Sequence, residues 1–232
     1  MAVETTVNQP VNKGLQGLSL LFVLIAAAVT FAGGLWLGAT TYQTFSRPVA
    51  VALEEGTLLP RPRPLADFAL TDQDGRPFTL ANLRGAWTFL AIGYTHCPDV
   101  CPLMLATFGA VERQIDKDAP DRKVKARPHF LFISVDPQRD TPERLAQYVR
   151  YANPEFIGAT GEDAQLKALT AQLGLLYTRV EVKDSAMGYL MDHSASMLLV
   201  DPQGRLTAIF SAPQNPAGMA SDFLTIAANH HS

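Results

Sequence analysis

The order of apolar and polar positions divides the chain into stretches of different character. Between Lys13 and Arg47 there is no charged residue, and the densest apolar run, Leu15 to Leu37, reads LQGLSLLFVLIAAAVTFAGGLWL. At about 1.5 Å per residue this run makes roughly 35 Å of helix, against a hydrocarbon core of about 30 Å, so it predicts a single transmembrane helix. Trp36 and Tyr42 fall at its far end, where amphipathic rings favour the membrane interface. The competing reading is a cleaved signal peptide, which needs a shorter apolar region and a small-residue cleavage site; AGG at 32–34 and LGA at 37–39 are poor ones. From Ser46 to Pro64 the chain carries four prolines and little periodicity, which predicts an extended tether. The expected organisation is a cytoplasmic segment at 1–14, an anchor at 15–37, a tether at 38–64 and one folded domain at 65–232.

Within that domain the runs alternate in type. Phe68–Thr71 and Pro77–Leu80 flank the turn signal Asp74-Gly75 and predict a hairpin. Trp87–Tyr94 (WTFLAIGY) and His129–Val135 (HFLFISV) are apolar runs of strand length, as expected of strands buried on both faces. Between them, Leu103, Ala106, Val111 and Ile115 follow helical spacing over Pro102–Lys117, so a βαβ crossover is expected. Helices are predicted over Thr141–Tyr151, from an Asp-Thr-Pro-Glu cap, and over Asp163–Leu173, closed by Gly174. A strand at Leu176–Val180, a hairpin of Ser196–Val200 with Leu206–Phe210, and a last helix over Pro216–Ala228 complete the order. That succession predicts an α/β, thioredoxin-like domain behind a single N-terminal transmembrane helix.

Composition narrows the function classes. With 47% hydrophobic residues and two cysteines, the chain is neither a disordered tail nor a disulfide-stapled miniprotein. Its 19 basic and 22 acidic side chains leave a net charge of −3, which gives no basic surface for nucleic acid.

The chemistry concentrates in GYTHCPDVCPL, where Cys97 and Cys101 lie four residues apart. A bridge closing so small a loop removes little unfolded-state entropy, so the pair is not a stabilising staple. Pro102 suits the first turn of a helix, which predicts a helix beginning at Pro102 and a Cys97–Cys101 loop against its positive end, where thiolates are favoured. Paired thiolates can exchange electrons as dithiol and disulfide, or hold a soft ion such as Cu(I). Three intervening residues lean toward metal, and a third ligand elsewhere would strengthen that reading. His193 in YLMDHSASMLLVDPQG is the best candidate, on a loop before the Ser196–Val200 strand; the alternative is a surface or capping histidine beside Asp192. Asp99, Asp140 and Asp192 are candidates for an outer contact to the imidazole, with Asp140 read most simply as a helix cap. His96 should point away from Cys97, His129 begins a strand, and His230 and His231 form a terminal pair. A peroxidase reading has only Thr95 and Cys97 to support it, with no suitable arginine evident in the sequence.

The segments GYTHCPDVCP, SVDPQRDTPE and DHSASMLLVDPQG resemble the signature blocks of the SCO/SenC family of copper chaperones for cytochrome c oxidase assembly. The resemblance covers about Leu65 to Ala228. It implies a thioredoxin fold with copper, as Cu(I) or Cu(II), held by Cys97, Cys101 and His193. It also implies delivery to the CuA site of cytochrome c oxidase subunit II, with other periplasmic copper chaperones as further partners. The implied location is a bacterial inner membrane with the domain in the periplasm, or the mitochondrial inner membrane facing the intermembrane space. The second function carried forward is a thiol-disulfide oxidoreductase that reduces the cysteines of the CuA site, for which Cys97 and Cys101 suffice.

Overall fold

The computed structural model describes residues 13–44, 53–119, 127–182 and 188–230. Most of the expected segment 1–14, tether residues 45–52, most of the charged loop before His129, and His231 lie outside them. The chain forms two compact units, Met1–Ala50 and Val51–Ser232.

The first unit holds one helix, α1 (Lys13–Thr44), which contains the whole of the expected apolar span. The side chains described on it are those of residues 22–38, and they are exposed, Phe22, Phe31 and Trp36 among them. Among the described residues no helix is long and apolar enough to cross a membrane.

The second unit is built on an eight-stranded sheet. Its strands are β1 (Thr57–Pro64), β2 (Ala69–Asp72), β3 (Pro77–Thr79), β4 (Thr88–Gly93), β5 (His129–Ser134), β6 (Ile157–Thr160), β9 (Met197–Val200) and β10 (Arg205–Phe210), in the order β1-β10-β9-β4-β5-β6-β2-β3. The remaining strands, β7 (Tyr177–Glu181) and β8 (Tyr189–His193), pair only with each other. The helices of this unit are α2 (Leu80–Leu83), α3 (Val100–Asp118), α4 (Pro142–Ala152), α5 (Asp163–Leu173) and α6 (Pro216–Ala228).

The two apolar runs become the sheet's centre for the expected reason. β4 is buried along its whole length, as is β5 after His129, and they pair in parallel from Thr88↔His129 to Gly93↔Ser134. Parallel neighbours need a long crossover, which α3 supplies between β4 and β5 and α4 between β5 and β6. The Asp74-Gly75 turn closes the β2–β3 hairpin with Gly75 at φ 76°, and Gly174 ends α5 at φ 71°. Phe89 and Phe130 stack in the core, and Phe108, Phe156 and Phe223 pack against them at tilted angles.

Several elements depart from the sequence reading, α2 among them: it begins at Leu80, the last residue of the expected strand Pro77–Leu80. Residues Thr57–Pro64, expected as tether, form β1 antiparallel to β10, with a register shift between Leu58 and Arg63 where Pro60 and Pro62 remove two N–H donors. The alternating prolines suit an edge strand. β6 is Ile-Gly-Ala-Thr, too short and too weakly apolar to show a strand pattern after the Asn153-Pro154 turn. β8 holds His193 as its last residue rather than in a loop. α3 begins at Val100 rather than Pro102, so Cys101 lies in its first turn. Proline is tolerated there because the first-turn N–H groups have no intrahelical acceptor, and Pro98 and Asp99 remain outside the helix.

The entry to the domain is pinned by a buried carboxylate. Asp222 on α6 accepts the backbone N–H groups of Glu54 (2.7 Å), Glu55 (2.9 Å) and Gly56 (2.7 Å). Asp222→Ala removes the shared acceptor, and we expect a loss of about 2–3 kcal/mol, or roughly 5–10 °C in Tm, checked by thermal melting.

Candidate metal centre

Strand β4 ends at Gly93 and delivers Tyr94 to Cys97 beyond the edge of the sheet, where the N-terminus of α3 faces the end of β8. This places Cys101 and His193, separated by 92 positions in sequence, with Sγ and Nε2 3.2 Å apart. Cys97 completes the group: its Sγ accepts the backbone N–H of Cys101 at 3.4 Å, and one donor atom from each of the three residues lies within 4.8 Å of the others. Both cysteines are free thiols.

The ring of His193 is oriented by its other nitrogen. Nδ1 is 3.1 Å from the Ser194 carbonyl, which accepts only, so Nδ1 carries the proton and Nε2 presents its lone pair to Cys101. The outer contact of the imidazole is therefore this carbonyl and not Asp99, Asp140 or Asp192, the carboxylates the sequence offered. Burial lowers the His193 pKa, against the opposing pull of the Ser194 carbonyl, and keeps the ring neutral. The Tyr94 ring stands edge-on to it at 6.0 Å.

The two sulfurs differ. Burial opposes ionisation of Cys97, but the N–H groups of Asp99, Cys101 and Val100 and the Cys101 thiol outweigh it and hold its pKa below the ordinary thiol value. Burial pushes Cys101, which is fully inaccessible, far above the ordinary range although the Tyr94 N–H points at its sulfur from 3.5 Å. The first turn of α3 thus stabilises one thiolate, not two. The pocket for the Cys101 sulfur needs Gly93, since a Cβ there would lie 2.7 Å from it. We expect iodoacetamide to modify Cys97 on the order of tenfold or more faster than Cys101 in the reduced protein, read by mass spectrometry of the two positions.

Behind the cysteines lies a buried polar anchor, Asp140, which is not the helix cap its place before Thr-Pro-Glu suggests. Thr141, not Asp140, caps α4 by accepting the Arg144 N–H. Asp140 instead accepts the Thr95 N–H (2.8 Å), the Thr95 hydroxyl (2.6 Å) and the Ser134 hydroxyl (2.6 Å), tying the ends of β4 and β5 together two residues before Cys97. Arg144 Nε donates to the Thr95 hydroxyl at 2.9 Å, so an arginine does stand beside this loop, although nothing in the sequence marked it. It contacts threonine, and neither sulfur. His96 turns its Nδ1 to within 3.2 Å of Thr95 Oγ1 and 3.4 Å of Asp140, away from the cysteines as expected. His96, Asp136 and Asp140 form a second close group, but Asp140 is saturated by Thr95 and Ser134, while Asp136 accepts Tyr189 Oη at 2.7 Å and Arg139 Nε at 2.5 Å. Those carboxylates are spent on protein donors. His230 lies against the Trp87 ring at 4.9 Å, and His129 begins β5.

Residues 59–228 match the SCO1/SenC family model. The chain belongs to the SCO1/SenC family. This SCO1/SenC protein is 35% identical over 153 residues to an SCO2-like protein of Rickettsia conorii, covering 66% of the chain and 72% of that protein. It is 35% identical over 162 residues to a putative copper-binding protein of Stutzerimonas stutzeri, covering 70% and 76%. Among solved structures, copper-bound ScoI of Arabidopsis thaliana superposes with a TM-score of 0.64 at 31% identity, covering 72% of this chain and 98% of that one. Copper-bound ScoI of Bradyrhizobium japonicum does so at 0.59 and 35%, covering 69% and 98%. The thioredoxin-like α/β fold expected from the order of elements is the fold of this group.

Proposed function

We propose that this SCO1/SenC protein is a membrane-anchored copper carrier that binds Cu(I) through Cys97, Cys101 and His193 and delivers it to the CuA site of cytochrome c oxidase subunit II during assembly. The observation that carries the reading is the 3.2 Å approach of His193 Nε2 to Cys101 Sγ, with Nδ1 engaged by Ser194. Two sulfurs and one neutral imidazole form a soft donor set suited to Cu(I), one short of the closed four-ligand sites of structural zinc. An added oxygen ligand would extend the same set to Cu(II). The half-buried Cys97 gives a route by which copper leaves through ligand exchange. The two copper-bound ScoI structures and the copper-binding name of the Stutzerimonas stutzeri relative support the choice of metal.

We read α1 as the single anchor, with residues 1–14 in the cytoplasm and the domain in the periplasm of a bacterial inner membrane, or in the intermembrane space of a mitochondrion. The run 15–37 of α1 carries no charge and its side chains at 22–38 are exposed and largely apolar, which favours lipid, and a thiol pair able to form a disulfide suits an oxidising compartment. The lowered pKa of Cys97 favours a second reading, the thiol-disulfide oxidoreductase acting on the CuA-site cysteines.

The two readings separate at His193. Cu(I)-loaded full-length protein in detergent is mixed with the copper-free soluble domain of subunit II, its cysteines reduced, and copper in each is measured after separation. We expect copper to move to the acceptor, and His193→Ala to lower the copper delivered by about tenfold or more, as loss of a ligand should. Delivery of no copper by the wild type, together with equal reduction of an oxidised acceptor by wild type and His193→Ala, would replace the carrier with the reductase.

A further inference from the structure

The strand that ends in His193 has almost no core of its own. β7 and β8 form a separate two-stranded sheet, and of their ten residues only Met191 is buried. An isolated two-stranded hairpin is at best marginally stable, so something other than apolar burial holds this one against the body of the domain.

Tyr189, the first residue of β8, is gripped from several directions. Its ring lies under the Arg139 guanidinium at 3.6 Å and the Arg179 guanidinium at 3.8 Å. Its hydroxyl donates to Asp136 at 2.7 Å, and its carbonyl accepts Arg139 Nη1 at 3.0 Å. Arg139 Nε in turn donates to Asp136, whose side chain is buried directly after β5. Arg179 reaches from β7 to Gln138 at 3.0 Å. Tyr189 is thereby joined to the segment after β5, the same segment that carries Asp140 and so fixes Thr95 and the start of the cysteine loop.

Tyr189, Met191 and His193 share one face of β8, since side chains repeat every two residues along a strand. A lateral shift of the Tyr189 end therefore swings the imidazole, about 14 Å further along at roughly 3.4 Å per residue, relative to two sulfurs held by other elements. We propose that Tyr189, clamped by Arg139, Arg179 and Asp136, is a positioning residue for the metal centre, setting the approach of His193 to Cys97 and Cys101. The inference rests on the reading of those three residues as the Cu(I) ligands. It predicts that the clamp acts on copper through the histidine alone.

The test is a double-mutant cycle on the reduced full-length protein in detergent, with Cu(I) affinity measured by competition against a chromogenic chelator. We expect Tyr189→Leu to weaken Cu(I) binding about tenfold when His193 is present and less than about twofold in a His193→Ala background, the coupling a shared element produces. Tyr189→Phe, which keeps the ring between the guanidinium groups and loses the hydroxyl, should fall between wild type and Tyr189→Leu. Equal losses in both backgrounds would reduce Tyr189 to a general stability role, and no loss in either would remove the proposal. A copper-free readout stands beside it: amide exchange at Leu190–His193 should be about tenfold faster in Tyr189→Leu than in wild type, with exchange in β4 and β5 unchanged. Unchanged exchange along β8 would overturn the clamp. A wild type that takes up no Cu(I) would overturn the ligand reading instead, while the exchange experiment still decides whether Tyr189 holds the strand.

Discussion

Cys101→Ala is expected to weaken Cu(I) binding on the order of a thousandfold or more, the largest effect of any single change in the protein, because it removes the buried soft donor that faces both Cys97 and His193. The raised pKa of Cys101 adds a signature in pH. Its sulfur carries a proton throughout the physiological range, and copper must displace it, so affinity rises with pH by about tenfold per unit from this group. Cys97, with its lowered pKa, sheds its proton earlier. Below the Cys97 pKa copper displaces two protons and the slope is steeper; above it only the Cys101 proton remains. Chelator competition across pH should therefore give a slope that falls from about two toward about one proton per copper as pH rises. In Cys101→Ala the residual binding should lose the shallow upper limb, since no protonated thiol is left to compete. A slope near zero at neutral pH in the wild type would mean that copper does not displace the Cys101 proton.

The second large effect is structural and lies behind the sulfurs. Asp140 is fully buried and accepts three hydrogen bonds from Thr95 and Ser134. Asp140→Ala strands those donors in a dry interior, at a cost of about 3 kcal/mol, which corresponds to a fall of roughly 6–12 °C in Tm for a domain of this size. Because Thr95 starts the loop that carries Cys97, the same change should loosen the approach of the two sulfurs and lower Cu(I) affinity below that of wild type at temperatures where the variant remains folded. Thermal melting and chelator competition on one preparation check both halves. Wild-type stability in Asp140→Ala would show that water, and not the carboxylate, satisfies Thr95 and Ser134.

The proposed donor set was partly legible in the sequence because cysteine is rare in it, whereas His193 is one of five histidines and stands out only by its place before the Ser196–Val200 strand. Two cysteines in the chain, both in one segment, leave little choice. The central strands were legible because burial on both faces writes continuous apolar runs such as TFLAIG and FLFIS. What stayed hidden depends on pairing across long separations. β1 reads as a proline-rich tether until β10 is placed beside it, and β8, at five residues, is too short to show a period. Asp140 was misread because its position before Thr-Pro-Glu fits a helix cap equally well, and only the fold brings Thr95 to it across 45 positions. α3 starts two residues before Pro102 because proline is accommodated throughout the first turn, so its place in the sequence does not fix the first helical residue.

X-ray absorption at the copper edge of the reduced, Cu(I)-loaded full-length protein tests the donor set itself. We expect two sulfur scatterers and one imidazole in the wild type, with the imidazole signal absent in His193→Ala and one sulfur lost in Cys101→Ala. An imidazole signal that persists in His193→Ala, or a sulfur-only site in the wild type, would contradict it.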